Sequence, residues 1–314
     1  MSLRRAMLVT AGFGTRLAPL TDLLPKPAVP VGNRPTAWYG LDVLARAGIR
    51  DVVLNTHHLA RQLEQAVREH APSTLELRFV HEAQILGTGG GVKNAWSPEP
   101  DETFVVMNGK LVFAPDLAAA AAVHAAHDAF ATMIVKWVPE GDPTAVVQVD
   151  DELFVRSLPG CSVVPSVPVR RCMYTGVSLL SAAAWRELPD NGCLIRDGYA
   201  RWIERGARVL AYVEPSEFRD VGMSHAHYLE ANVALASGQV RWPGVEPVAG
   251  IGLCEASASV DPGAQLEHCA VGARAQVAPG SELTRCVVWA GASASGKHSD
   301  AVFLPDGRVV RVSR

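Results

Sequence analysis

A short apolar run followed at once by a glycine-rich turn limits the fold more than any other feature of this sequence. The run Met7–Val9 predicts a buried strand. Gly12 and Gly14 come directly after it, and glycines let backbone N–H groups close on an anion with no Cβ in the way. Arg16 adds a fixed, forked positive charge. The stretch therefore predicts a phosphate-binding loop at the end of a strand.

The same stretch continues to Gly32 and includes a lysine between two prolines. Pro25 and Pro27 hold a non-helical segment stiff, so that Lys26 is presented from a defined place. The lysine makes the stretch more specific for a phosphate than a pair of glycines alone.

Strand-like and helix-like segments alternate around this loop. Strands are predicted at Met7–Val9, Asp51–Asn55 and Ser73–His81, and helices at Thr36–Ala47 and His58–His70. This order predicts an α/β fold, a Rossmann-like and mostly parallel sheet with helices on both faces. Ligands of such sheets bind at the carboxyl ends of the strands, and we therefore expect the binding site beside the glycine loop.

A second glycine-rich segment, Gln84–Gly91, lies between a strand and a helix predicted through Lys93 to Trp96. Two interpretations have equal weight. The segment could let the backbone come close to a flat base or ribose, or it could be a flexible surface loop. Further along, Asn108–Lys110 follows another predicted strand, Thr103–Met107.

Histidines occur in pairs at two places. The helix predicted at Ala114–Ala129 carries His124 and His127, and a spacing of three residues on a helix can hold a metal. No third ligand is in view, so a solvated helix face is the favoured interpretation. His57 and His58 follow the second strand, and we expect them to have a structural role.

The character of the sequence changes near residue 250. Apolar residues recur there at steps of about six, two of them five, at Val260, Leu266, Val271, Val277, Leu283 and Val288. This period predicts a short C-terminal left-handed β-helix. We predict a Rossmann-like nucleotidyltransferase domain at 1–240 and a hexapeptide-repeat domain at 250–314, joined by the linker Arg241–Pro247. The coil is expected to cap the first domain or to form a homo-oligomer.

Composition excludes several classes of function. The net charge of −3 provides no basic field of the kind that nucleic-acid binding needs. No stretch approaches the roughly 20 apolar residues of a membrane helix. The six cysteines show neither a C-x-x-C pair nor zinc-ligand spacing. We therefore expect a cytoplasmic protein that contacts neither nucleic acid nor membrane.

Several motifs together resemble those of sugar-1-phosphate nucleotidylyltransferases, among them the mannose-1-phosphate guanylyltransferase group and related NDP-sugar synthases. The family signature is a strand, then G-x-G-T-R-L-x-P-L-T, and after a short gap P-K-P-x-x-P-V. It stands here at residues 12–21 and 25–31. The resemblance continues through the segments 86–90, 108–109, 218–222 and 228–232 and includes the hexapeptide tail. It thus covers nearly the whole chain.

The resemblance implies a reaction and its residues. A sugar 1-phosphate attacks the α-phosphorus of a nucleoside triphosphate and pyrophosphate leaves; GTP and a GDP-mannose-type product are the expected pair. Arg16 and Lys26 are implied to be catalytic, and Asp220 is implied to be one of two carboxylates that hold Mg²⁺. The implied nucleotide-binding residues are Ala11, Gly12, Gly14, Thr15, Gln84, Gly87, Thr88, Gly89, Asn108 and Gly109. The implied sugar-binding residues are Gly176 and Asp197.

Two departures from the family pattern stand out. Lys110 occupies the position of the family's other metal-binding Asp, in N-G-D. The E-K-P motif that many members use for the sugar and its phosphate is replaced by Val155–Pro159. Two expectations follow. The first is an active enzyme in which Lys110 supplies positive charge to the phosphates and the metal is held by Asp220 and the substrate itself. The second is a regulatory or assembly subunit that binds a nucleotide or NDP-sugar with little turnover.

Two other classes with a glycine-rich loop fit poorly. A nicotinamide dehydrogenase needs a third glycine where Leu17 stands and an acidic residue where Asn55 ends the second strand. A P-loop NTPase needs Gly-Lys-Ser/Thr after the loop, and this chain has none there.

Overall fold

The computed structural model describes residues 3–144 and 146–313, and strands and helices alternate through its first three quarters. The strands before residue 240 are β1 (Arg5–Val9), β2 (Pro30–Val31), β3 (Arg34–Pro35), β4 (Asp51–Thr56), β5 (Glu76–His81), β6 (Thr103–Asn108), β7 (Leu111–Phe113), β8 (Ala131–Trp137), β9 (Val147–Val149), β10 (Val155–Ser157), β11 (Arg170–Ser181), β12 (Val209–Val213) and β13 (Phe218–Asp220). The α-helices are α1 (Leu20–Leu23), α2 (Thr36–Arg46), α3 (Ala60–His70), α4 (Gly87–Ala95), α5 (Leu117–Ala126), α6 (Ala182–Arg186), α7 (Ala200–Glu204) and α8 (His225–Ala236). None of the described helices is both long and apolar enough to cross a membrane.

The central sheet runs in the order β10-β9-β11-β6-β1-β4-β5, and β8, which pairs with β11 and β12, extends it. β1 is parallel to β4 and β6, and β4 is parallel to β5. β11 is antiparallel to β6, β8 and β9. The predicted parallel arrangement is confirmed for the centre of the sheet, which becomes mixed on the side of β11.

Alternate residues of β1 face two separate cores. Ala6 and Leu8 belong to one buried cluster together with Leu44 of α2. Met7 belongs to a second cluster together with Val92 of α4. Successive side chains of a strand point to opposite faces, so α2 and α4 cover opposite faces of the sheet, as the sequence predicts.

The glycines of the second segment lie in α4, so the interpretation as a flexible loop is wrong for residues 87–91, whereas residues 84–86 precede the helix. The N–H of Gly89 donates to the carbonyl oxygen of Gly192 at 2.9 Å. A Cβ on Gly90 would lie 2.6 Å from the carbonyl oxygen of Asp190. The glycines therefore let α4 pack directly on a neighbouring backbone, and this tertiary contact overrides the low helix propensity of glycine.

One of the two histidines of α5 is buried in the core, so the interpretation as a solvated helix face is wrong for that residue. The side chain of His124 is buried, and its Nδ1 shares a hydrogen bond of 2.9 Å with the Thr132 hydroxyl. His127 is exposed, and its Nδ1 donates to the Val123 carbonyl at 3.0 Å. Nowhere in residues 3–144 and 146–313 do three or more His, Cys, Asp or Glu side chains form a group that could hold a metal.

After residue 250 the chain forms stacked coils. Their strands are β14 (Gly252–Cys254), β15 (Ser259–Val260), β16 (Gln265–Glu267), β17 (Cys269–Val271), β18 (Gln276–Val277), β19 (Glu282–Thr284), β20 (Val287–Val288), β21 (Ser293–Ala294), β22 (Lys297–Ser299), β23 (Ala301–Phe303) and β24 (Val309–Arg311). Three parallel sheets result, β14-β17-β20-β23, β15-β18-β21 and β16-β19-β22, and β24 closes the first of them in antiparallel pairing.

The length of one coil explains the irregular steps in the sequence. Gly252 pairs with Cys269 and Gln276 pairs with Ser293, 17 residues apart in both cases. A coil of 17 residues divides over three sheets as two steps of six and one of five. The stack is β-helix-like, whereas its left-handed twist and its use in a homo-oligomer stay predictions.

The coils pack against the region that precedes them. Trp289 Nε1 donates to the Tyr228 hydroxyl at 2.9 Å, and that hydroxyl donates to the Pro30 carbonyl at 2.9 Å. One buried apolar cluster includes Leu229 of α8 and Val288 of β20. The core is thus continuous across the predicted domain boundary, and the division into two domains stays a prediction.

Candidate functional site

Predicted site residues from three strands meet at the carboxyl edge of the sheet. The glycine loop follows β1, and Asn108 ends β6, which pairs with β1. The N–H of Gly109 donates to the Val9 carbonyl at 2.9 Å. Gly176 lies in a bulge of β11 at φ +84°, and a Cβ there would overlap the Asn108 side-chain amide. The structure therefore brings the glycine loop, Asn108, Gly109 and Gly176 together.

A buried network of polar residues holds the start of the glycine loop in place. The sequence did not predict this network. The N–H groups of Thr10 and Ala11 donate to Asn55 Oδ1 at 2.7 and 3.1 Å. Asn55 Nδ2 donates to Glu82 Oε1 at 2.7 Å, and the N–H of Leu86 donates to Glu82 Oε2 at 3.0 Å. The network ties the loop to β4 and to the segment before α4. The polar residue Asn55 near the end of the buried strand β4 was the signal in the sequence that could have indicated this network.

The two predicted histidines also hold backbone near the loop. His57 Nδ1 donates to the Glu82 carbonyl at 2.7 Å, and His58 Nε2 donates to the Thr21 carbonyl at 3.3 Å. Phe13 is exposed and meets the His57 ring edge to face, with the ring centroids 5.1 Å apart. These contacts agree with the expected structural role of the histidines.

The glycine loop leaves backbone donors without partners. No residue in the described part of the chain accepts a hydrogen bond from the N–H groups of Gly12, Phe13 or Gly14. Gly14 adopts φ +69°, and a Cβ there would lie 2.9 Å from Thr21 Cγ2 and 3.1 Å from Lys26 Cβ. Unpaired N–H groups beside a lysine are suited to bind an anion.

Three cationic side chains approach one another beside this loop. A Cβ on Gly222 would lie 2.7 Å from Lys110 Cδ and 3.0 Å from Lys26 Cδ. Burial lowers the pKa of Lys26, and the positive charges of Lys110 and, to a smaller extent, Arg16 lower it further, while Asp220 opposes them. Cations held this close are stabilised when an anion binds between them.

Lys110 and Asp220 form an ion pair that the backbone fixes in place. Asp220 of β13 pairs with Leu111 of β7, and the N–H of Val221 donates to the Lys110 carbonyl at 3.1 Å. Lys110 Nζ lies 2.5 Å from Asp220 Oδ2. The N–H of Gly222 donates to Asp220 Oδ1 at 2.9 Å. Both carboxylate oxygens of Asp220 therefore already have donors from the chain.

This donor set does not fit the magnesium site that the resemblance implies. Mg²⁺ takes six oxygen ligands in near-octahedral geometry and is usually held by one or two carboxylates with phosphates and waters. Here the second carboxylate is replaced by the ammonium of Lys110, which binds the first. The described residues therefore offer no second carboxylate to a divalent ion beside Asp220, and Mg²⁺ stays a prediction.

The other predicted residues lie around the start of α4. Thr88 Oγ1 accepts from the N–H of Leu194 at 2.9 Å, and Asp197 Oδ2 accepts from the N–H of Cys193 at 2.7 Å. Both side chains thus stabilise the turn that packs on α4. Gln84 is exposed, and the roles of these residues toward a base or a sugar stay predictions.

A groove of about 770 Å³ lies beside the ion pair. Its wall includes the aromatic rings of Tyr174 and Phe218, the exposed Met223 and the carboxylate of Asp220. Arg16 Nη1 lies 3.5 Å from Met223 Sδ, so the groove extends toward the glycine loop. A small molecule in the groove would lie next to the cations.

Known proteins are similar to much of this chain. The model of the Nucleotidyl transferase family matches residues 5–238. The chain is 33% identical over 147 residues to the UTP–glucose-1-phosphate uridylyltransferase of Synechocystis sp., an alignment that covers 43% of this chain and 38% of that protein. It is 28% identical over 281 residues to the mannose-1-phosphate guanylyltransferase of Mycobacterium tuberculosis, covering 83% of this chain and 72% of that protein. The chain thus spans well under half of the Synechocystis relative.

A solved structure shares the fold. A UDP-glucose pyrophosphorylase from Acinetobacter baumannii superposes with a TM-score of 0.62 at 22% identity, over 76% of this chain and 95% of that chain. A likeness at this level of identity supports the fold of the chain alone.

Proposed function

The chain belongs to the nucleotidyl transferase family, and from that premise we propose that it transfers a nucleotidyl group from a nucleoside triphosphate to a sugar 1-phosphate. One observation carries the proposal. The N–H groups of the glycine loop have no acceptor among the described residues, Gly14 packs against Lys26, and Arg16 lies in the following turn. The names of the relatives from Synechocystis and Mycobacterium support a sugar 1-phosphate as the acceptor.

The proposed reaction needs positioning and charge neutralisation rather than a covalent intermediate. An oxygen of the sugar 1-phosphate forms a bond to the α-phosphorus while the bond from that phosphorus to the bridging oxygen breaks. Pyrophosphate leaves with the bonding electrons. In this proposal Gly12 and Gly14 bind the triphosphate, Arg16 neutralises the leaving pyrophosphate, and Lys26 contacts the α-phosphate.

GTP and mannose 1-phosphate are the proposed substrates. Support comes from the extent of the alignments, since the mannose-1-phosphate guanylyltransferase aligns over 72% of its own length and the uridylyltransferase over 38%. Gln84 and Gly89 are proposed to face the base, and Gly176 and Asp197 the sugar.

The ion pair of Lys110 and Asp220 favours a second candidate function. A family member without the two-carboxylate metal site could bind a nucleotide or NDP-sugar and act as a regulatory subunit with little turnover. The same fold and the same glycine loop serve both functions, so activity alone separates them.

A pyrophosphate-release assay tests the proposal. Purified protein is incubated in MgCl₂ with GTP, UTP, dTTP or CTP, each with mannose 1-phosphate or glucose 1-phosphate. We expect release with at least one pair, and Lys26→Met to lower kcat/KM by about 10² to 10³, the usual cost of removing a group that stabilises transition-state charge. Lys297→Met, at an exposed lysine of the coil, is the matched control.

The outcomes of the assay separate the two functions. Turnover by the native chain would exclude the silent regulatory subunit. Turnover by Lys110→Asp alone would contradict the proposal that the native chain is an enzyme.

A further inference from the structure

The Lys110–Asp220 pair occupies the place where the resemblance implies a divalent cation between two carboxylates. We infer that the Lys110 ammonium takes over the part of that cation, neutralising Asp220 and binding the phosphates of the nucleotide, so that the nucleotide binds without a divalent metal. The inference rests on the proposed function, because it takes a nucleoside triphosphate as the ligand.

Charge balance is the first support. Two carboxylates and a divalent cation together carry no net charge, and neither does the pair of Lys110 and Asp220. Arg16 and Lys26 therefore present the same net positive charge to a triphosphate in both arrangements. The replacement of a carboxylate by an ammonium keeps the electrostatic balance of the site and removes its need for an ion.

Donor capacity is the second support. An ammonium has three N–H donors, and Asp220 Oδ2 accepts from Lys110 Nζ. The Lys110 side chain keeps 25% of its surface exposed, and its Cδ lies with Lys26 Cδ around Gly222. Among the described residues Asp220 alone accepts from Lys110 Nζ, so two of its three donors remain for a ligand near Lys26.

Rigidity is the third support. The pairing of β7 with β13 and the hydrogen bond from the Gly222 N–H fix the carboxylate of Asp220. A divalent ion on Asp220 Oδ2 would have to displace the Lys110 ammonium and then lie close to Lys26. Like charges at such short distances repel strongly in a partly buried site. The site is therefore built around the ammonium rather than left incomplete.

Calorimetric titration tests the inference with two probes, GTP and inorganic tripolyphosphate. Tripolyphosphate carries no base, so a wrong choice of nucleotide does not affect it. We expect the Kd of the native chain for each probe in EDTA to stay within about threefold of its value in MgCl₂. A loss of metal-mediated binding would instead raise Kd by tenfold or more, which corresponds to about 1.4 kcal/mol. For Lys110→Asp we expect Kd in EDTA to rise by about tenfold or more, and MgCl₂ to restore it.

Two further variants control the experiment. Lys297→Asp changes the net charge of the chain by the same two units at an exposed site in the coil, and we expect it to bind like the native chain. Lys110→Met keeps the length of the side chain, and we expect weaker binding in EDTA. Electron paramagnetic resonance of Mn²⁺ without nucleotide gives an independent measurement: we expect Lys110→Asp to bind the ion and the native chain not to.

The outcomes are distinct. Native binding of both probes that drops at least about tenfold in EDTA and returns with MgCl₂ would overturn the inference and leave the proposed function standing. Metal-independent binding with no turnover of any substrate pair would support the inference and refute the proposed enzyme. No binding of either probe in either buffer would overturn the inference.

Discussion

His124 is a buried titratable residue whose protonation the fold opposes. Its side chain is 3% exposed, and burial lowers its pKa from 6.5 to about 4. At pH values between these two, His124 binds a proton in the unfolded chain and not in the folded chain. Protonation of His124 therefore does not lower the free energy of unfolding above pH 6.5, and this free energy falls as the pH drops toward 4. We predict a loss of about 2 kcal/mol in the free energy of unfolding from pH 7.5 to pH 5, measured by urea titration.

Two histidine variants isolate the contribution of His124 to this loss. His124→Gln removes the titrating group, so its stability should depend less on pH than that of the native chain by about the same amount. His127→Gln removes an exposed histidine of the same helix and should retain the native pH dependence. Equal pH dependence in all three proteins would contradict the prediction.

At the scale of elements, α4 contains a glycine that we expect to stabilise the protein more than an alanine would. An alanine in a helix interior is normally about 1 kcal/mol more favourable than a glycine. A Cβ on Gly90, however, would lie 2.6 Å from the carbonyl oxygen of Asp190, which is backbone and cannot rotate away. We predict that Gly90→Ala destabilises the protein by about 1 to 3 kcal/mol, measured by chemical denaturation.

The control for Gly90→Ala lies in the same helix. Asn94 is exposed, so Asn94→Ala should be neutral or slightly stabilising, in line with helix propensity. A gain in stability for both variants would show that the packing of α4 on its neighbour does not restrict residue 90.

Short-range sequence patterns predicted the elements that form because of residues close together in the chain. Apolar spacing identified β1, α2 and β4. α4 and the burial of His124 depend on contacts distant in the sequence. An alanine-rich helix such as α5 also has no polar face that would show which side is buried.

The candidate site divides in the same way. Contiguous residues carry the glycine loop and Lys26, so the sequence predicted them. The Asn55–Glu82 network and the Lys110–Asp220 pair join residues far apart in the chain, 27 and 110 positions respectively. Both depend on strand pairing, which brings the ends of β4 and β5, and of β7 and β13, side by side.

At the scale of the whole molecule, the coils and one face of the sheet share one buried cluster. We predict a single unfolding transition in urea, with coincident midpoints by far-UV circular dichroism and tryptophan fluorescence. Trp289→Phe removes the donor to Tyr228 and should lower the free energy of unfolding by about 1 kcal/mol, shifting both probes together.

A matched tryptophan controls for the loss of the indole ring. Within the described residues, the buried Trp96 Nε1 has no hydrogen-bond partner, so Trp96→Phe removes no such bond and should cost less than Trp289→Phe. Two separate transitions, with only the second affected by Trp289→Phe, would support independent domains at 1–240 and 250–314 instead.

The hydrogen-bond chain from Trp289 through Tyr228 to the Pro30 carbonyl also links the coils to the segment that carries Lys26. Pro30 follows Lys26 by four positions in a segment stiffened by prolines, so a shift of this carbonyl reaches the lysine with little loss. A change at Trp289 on the inner face of the coils is therefore expected to disturb the position of Lys26 as well as the packing of the coils.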